Sequence, residues 1–238
     1  MNRLRRIVGG WLATFLTQEV EAAPALPVDM VALQALLRKA DVILVEGNLR
    51  ISAAIKYLTQ SSWSHAVLYA GGGICIEADV LQGVRRFALA ELAPYHLRIC
   101  RPISLTEADA DIVLAHAQAR LGAQYDLKHV VDLARYMVPL PVPRAWRRRA
   151  IAVGSADPSR AICSTLVAEA FQAAHYPILP EIPPSVSPGP AAAKVREIYH
   201  IHDTGLFTPR DFDISPFFQI IKPDMPRAFD HHRLVWVD

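Results

Sequence analysis

Apolar and polar positions along the chain fall into short runs of two periods. Residues 28–39 carry Val28, Val31, Leu33, Leu36 and Leu37 at helical spacing, with Asp29 in the first turn, and predict a helix. Residues 41–46 hold the block Val42, Ile43, Leu44 and Val45, ended by Gly47 and Asn48, and predict a strand. A second helical piece is expected over 52–59. Residues 65–70, then Gly71, Gly72 and Gly73, then 74–78 form a hairpin pattern, with further strands at 83–87 and 97–101. Thr106 with Asp109 three residues on is an acidic variant of the capping box, opening a helix that runs to Leu121 and stops at Gly122. Another helix is predicted over 126–136. Residues 139–158 mix prolines, arginines and Gly154 and predict a long loop or flap. A helical run then opens at Ile162 and Cys163, a Pro-rich connection covers 177–190, and two late strands are expected at 217–221 and 234–237. The sum is an α+β fold, a mostly antiparallel sheet with helices packed on it.

Composition narrows the class. With 238 residues, 52% of them hydrophobic and 20% charged, the chain can bury a real core and is too apolar to be disordered. One elaborated domain over 28–238 fits that length better than two. The net charge of +2 is too small to imply nucleic-acid binding. Three cysteines with no C-x-x-C pair argue against a disulfide framework and a structural zinc site, and favour a reducing compartment.

Residues 1–27 form a separate segment. Arg3, Arg5 and Arg6 precede an apolar stretch over 7–16, as in the first two regions of a secretory signal. Gly9 and Gly10 interrupt that stretch, and Glu19, Glu21 and Pro24 spoil the cleavage site that could be drawn after Ala22. An amphipathic helix lying on the domain or on a membrane surface is the preferred reading, with a signal peptide as the alternative. A cytoplasmic location follows, with membrane association left open. Nothing approaches the ~20 consecutive apolar residues of a membrane span.

The candidate chemistry lies in two distant places. His65 starts an apolar run that predicts a buried strand, and Cys163 starts a run of helical period. A helix N-terminus acidifies a thiol, and a strand-borne imidazole could take its proton. That makes a thiolate nucleophile the leading hypothesis. Glu77, across the hairpin, could hold the imidazole in the needed tautomer. Asp79 competes for this role on the same strand face, but it lies one pleat further from the turn and is expected farther from His65. Tyr125, just past a helix stop, could donate to an oxyanion or simply pack in the core. Cys75 and Cys100 lie inside apolar strands and read as inert thiols. His116, His129 and His175 read as helix-surface or packing residues. His200, His202, His231 and His232 have no ligand spacing, so neither a metal nor another cofactor is expected.

These same residues carry a resemblance. Asp41-Val42-Ile43-Leu44-Val45-Glu46-Gly47-Asn48, Ser64-His65, Ile76-Glu77-Ala78, Gly122-Ala123-Gln124-Tyr125-Asp126, Cys163-Ser164-Thr165-Leu166-Val167 and Phe207-Thr208-Pro209-Arg210-Asp211-Phe212 occur in that order. The chain thereby resembles, over residues 40–222, the circularly permuted papain-like hydrolases of the NlpC type, the YiiX-like group. In ordinary papain-like enzymes the Cys helix precedes the His strand; here His65 precedes Cys163. The resemblance implies a permuted papain-like fold with Cys163 as nucleophile, His65 as base and Glu77 as the polar third residue. It also implies hydrolysis of an amide or ester in a peptidoglycan-type peptide or a lipid-like acyl substrate. One departure is visible: the family usually opens its first strand with Gly-Asp, where this chain has Ala40-Asp41, which puts the turn geometry in question.

Two other functions stay open at this point. One is acyl transfer at the same Cys/His site, as in the related lecithin retinol acyltransferase group; the other is a non-catalytic lipid- or peptide-binding module on the same scaffold. Arg144, Arg147, Arg148 and Arg149, with Trp146 among them, are either a solvated charge run or a contact with lipid phosphates or an anionic substrate.

Overall fold

The structure is a computed structural model that describes residues 18, 28–79, 82–123, 162–179 and 207–222. These hold five α-helices and six strands: α1 (Met30–Leu36), β1 (Val42–Glu46), α2 (Arg50–Thr59), β2 (His65–Gly71), β3 (Ile74–Asp79), β4 (Gly83–Ala88), β5 (His96–Pro102), α3 (Glu107–Ala119), α4 (Ile162–Ala173), α5 (Pro209–Ile214) and β6 (Phe218–Ile221). A 3₁₀ turn, Leu89–Leu92, which the periodicity does not signal, joins β4 to β5. The strands form one antiparallel sheet in the order β4-β3-β2-β1-β5-β6. The fold is therefore α+β, as the pattern predicts.

The unbroken apolar block of β1 is explained by burial on both sides. Val42 and Leu44 join Ala66, Leu68, Ile76 and Cys100 in a core closed by Val113 of α3, Leu166, Val167 and Phe171 of α4, and Phe212 of α5. Ile43 and Val45 join Val67, Tyr69, Cys75, Phe87 and Ile99 in a second core closed by Leu33 of α1, Leu37 and the 3₁₀ turn. A strand covered on both faces needs no polar alternation. Helix α4 lies on β2 and β3 and packs against α3, so the cysteine at its start is carried to the strands that hold His65 and Glu77. Gly72 and Gly73 take φ of 60° and 76° in the β2–β3 turn, where both central residues of a tight hairpin need positive φ.

Helix α1 is shorter than predicted at both ends. Asp29 is its cap rather than a first-turn residue, accepting from the Val31 and Ala32 N–H groups, and Leu37 is already extended with ψ 142°. The chain needs that early exit to turn into β1. In the turn, Ala40 sits at φ 64°, the left-handed region that a glycine would occupy freely. Its methyl is fully buried in the core that holds Val42 and Leu44. Left-handed strain on Ala is about 1–2 kcal/mol. Against it stand about 0.8 kcal/mol for the buried methyl and about 0.4–1 kcal/mol from the freer unfolded chain of Gly. Ala40→Gly is thus expected to change stability by less than about 1 kcal/mol in denaturant titration, where strain alone would predict a clear gain.

The predicted helix over 126–136, the loop over 139–158, the end of the Pro-rich connection and the strand over 234–237 lie outside the described residues. So do residues 1–27, apart from residue 18. Among the described residues, no helix is long and apolar enough to cross a membrane.

Candidate active site

Three segments converge on one point. His65 is the first residue of β2, paired with Val45 of β1. Ser64 locks the entry to that strand: its hydroxyl accepts the Gly47 N–H at 3.0 Å, and its own N–H donates to the Val45 carbonyl at 3.1 Å. A side chain at Gly47 would collide with Ser64 Oγ and Ser52 Oγ. Just before it, Trp63 donates its indole N–H to Asp213 of α5 at 3.0 Å, while Arg98 of β5 holds the same carboxylate at 2.6 and 2.9 Å and lies over the indole. The imidazole is therefore mounted on a segment pinned from two sides.

Glu77 Oε2 lies 2.7 Å from His65 Nε2. The register runs Tyr69 opposite Cys75 and Leu68 opposite Ile76. Past that point it is Glu77 whose carboxylate meets the imidazole, in line with the expectation that favours it over Asp79. Asp79 instead accepts the Gln82 N–H at 2.7 Å in the β3–β4 turn. Arg85 of β4, opposite Glu77 in the sheet, places Nε at 2.8 Å and Nη2 at 2.6 Å from Glu77 Oε1.

Cys163, the second residue of α4, is 4% exposed. Its sulfur interacts with the His65 imidazole, the Ala66 N–H and the Ser164 hydroxyl, the last at 3.9 Å. Because Glu77 occupies Nε2, the nitrogen left for the sulfur is Nδ1. The thiol reaches the sheet where β2 and β3 have ceased to pair, beyond Leu68 and Ile76.

Electrostatics follows from this chain of contacts. Burial pushes the Cys163 thiol up, but His65, the Ala66 N–H and the Ser164 hydroxyl outweigh it and bring the group below its ordinary value. Burial likewise opposes charge on His65, yet the Cys163 thiolate and the Glu77 carboxylate hold the imidazole well above its usual range. Glu77 is kept below the normal carboxylate range, burial being overcome by His65 and Arg85. Cys75 and Cys100 behave oppositely: burial pushes each up to about 12, as expected of inert thiols. Of the three cysteines, Cys163 is the one whose thiol is lowered rather than raised, and it lies beside an imidazole shifted toward its charged form.

The structure brings Cys163, His65 and Glu77 together. Tyr125 lies outside the described residues, as do Arg144, Arg147, Arg148 and Arg149. Arg85 is not visible to motif reasoning, because an arginine in a short strand looks like any solvated charge until the β3–β4 register is known. Among the described residues no group of three His, Cys, Asp or Glu side chains is arranged to hold a metal ion. His200, His202, His231 and His232 lie outside them. No protein-family model matches the chain, and no curated protein matches it.

Proposed function

We propose that the protein is a cysteine hydrolase of the permuted papain-like kind, opening an amide or ester through a thioacyl intermediate on Cys163. The observation that carries this is the Cys163–His65–Glu77 chain, buried at Cys163 and Glu77 and half-buried at His65, with the thiol lowered and the imidazole raised in pKa. In the proposed cycle the thiolate attacks the substrate carbonyl carbon, and the carbonyl oxygen takes up the negative charge. The Cys163 N–H, at the start of α4, is the natural donor to that oxygen, a kind of contact worth about 2.7–4 kcal/mol in a dry site. The C–N or C–O bond breaks as His65 gives its proton to the leaving amine or alcohol. His65, now neutral, takes a proton from water, the hydroxide attacks the thioester, and the free acid leaves with the thiolate restored. Glu77 accepts from Nε2 throughout and keeps Nδ1 toward the sulfur.

The expected pH profile has a definite sign. Turnover requires the thiolate and the imidazolium together, so kcat/KM should rise through the lowered ionisation of Cys163 and fall through the raised ionisation of His65. In Glu77→Gln the alkaline limb should move down, because the carboxylate that favours the imidazolium is gone. A limb that stays in place would remove Glu77 from the mechanism.

Product analysis tests the reaction class. Short peptides of peptidoglycan type and lipid-like acyl esters, each with a labelled acyl group, are incubated with the protein and followed by intact mass and chromatography. Release of free labelled acid through a Cys163 adduct supports hydrolysis. A new ester or amide would mean acyl transfer, and tight retention with no adduct would mean a binding module.

A further inference from the structure

We propose that Arg85 is a positioning residue of this site: it grips one oxygen of Glu77 so that the other is aimed at His65, and it balances the charge of two buried anions. The inference rests on the thiolate reading above and adds a fourth member to it.

The two oxygens of Glu77 are divided between partners. Oε1 takes Nε and Nη2 of Arg85, and Oε2 takes His65 Nε2 at 2.7 Å. Glu77 is only 6% exposed, so a carboxylate with a single partner there would be poorly solvated. Arg85 is itself fixed. Its strand partner is Glu77, its guanidinium lies 4.9 Å from the centre of the Phe87 ring, and Nη1 reaches Glu91 at 3.5 Å on the solvent side. The planar guanidinium delivers two donors to one oxygen, which a lysine ammonium cannot reproduce in the same geometry.

Charge counting gives the consequence. Within the buried chain the thiolate and Glu77 are negative, His65 and Arg85 positive, and these four sum to zero; Glu91 and Asp79, whose charges also act on Arg85, add negative charge on its outer side. Removing the Arg85 charge leaves one excess buried anion. The lowest-cost relief is a proton on the group with the weakest hold on its charge, the Cys163 thiolate. Loss of Arg85 should therefore raise the pH at which Cys163 becomes reactive, acting through Glu77.

The test is iodoacetamide alkylation of the full chain across pH, resolved by cysteine with mass spectrometry, in wild type, Arg85→Met, Arg85→Lys, Glu77→Gln and the Arg85→Met/Glu77→Gln double variant. Arg85→Met is expected to move the Cys163 limb up by about one pH unit, roughly tenfold slower reaction on the acid side. Arg85→Lys should recover at least about half of the shift, and most of the shift should be absent when the Glu77→Gln change is already present. Cys75 and Cys100 should stay silent. An unmoved limb in Arg85→Met or an equal shift on the Glu77→Gln background would each overturn the role, and alkylation of Cys75 and Cys100 marks a variant that has not folded. If Arg85→Met does not fold, Arg85→Gln, which keeps a donor and drops the charge, takes its place with the same outcomes. A wild-type limb at the ordinary thiol pH would instead sink the parent thiolate reading, so the two failures are distinct.

Discussion

Cys163→Ala is expected to abolish turnover, by at least roughly 10⁴-fold, as for removal of a nucleophile that acts as one unit with its base. The fold should survive it. The sulfur sits in the first turn of α4, where alanine is a good helix former, and the main packing of that helix comes from Leu166, Val167, Ala170 and Phe171. Ser164 cannot take over, because a serine hydroxyl is not acidified to an anion by a neighbouring imidazolium as a thiol is, and its side chain is itself fully buried. The measurement is product formation per enzyme together with thermal unfolding. Turnover persisting in a well-folded Cys163→Ala protein would end the thioacyl mechanism.

The second large effect is expected on stability, at Asp41. This carboxylate is 0% exposed and accepts from Arg101 Nε at 2.9 Å, Arg101 Nη2 at 2.7 Å and the Arg38 N–H at 2.8 Å. Arg101 Nη2 also donates to the Leu36 carbonyl at 2.7 Å, so the pair ties the end of α1 and the turn before β1 to β5. Asp41→Ala strands the Arg101 cation, and breaking such a buried pair costs about 3–5 kcal/mol. At roughly 2–4 °C per kcal/mol for a chain of this size, the Tm should fall by about 10 °C. Replacing both partners with apolar residues, Asp41→Leu with Arg101→Met, should cost much less than the single change, because no unpaired charge remains. Equal losses for the single and double variants would mean that the pair is not the source of the effect.

How much of this is legible in the sequence depends on which physics sets each feature. Local chemistry is visible: the Thr106–Asp109 capping box, with the Asp109 N–H donating to Thr106 Oγ1 at 3.1 Å, and the Gly72–Gly73 turn are signalled by the residues themselves. The pairing of His65 with Cys163 is also suggested by their settings, a strand start and a helix start. What the sequence does not supply is register. Cross-hairpin proximity points to Glu77, whose carboxylate lies 2.7 Å from His65 Nε2. Asp79 accepts the Gln82 N–H at 2.7 Å in the β3–β4 turn, a contact that no local pattern announces. Arg85 and Asp213 escape notice because each acts across a strand pair or a helix packing that no local pattern encodes. The truncation of α1 is hidden for a similar reason, since Leu37 keeps the helical period while the backbone has already left it.

The most direct test of the Cys163–His65 thiolate pair is the pH dependence of alkylation at each cysteine, in wild type and in His65→Ala. The pair predicts that Cys163 reacts well below pH ~8.5, the free-thiol value, that its reaction slows in His65→Ala, and that Cys75 and Cys100 stay unreactive. Cys163 reacting no faster than an ordinary thiol, or unchanged when His65 is removed, would contradict the account.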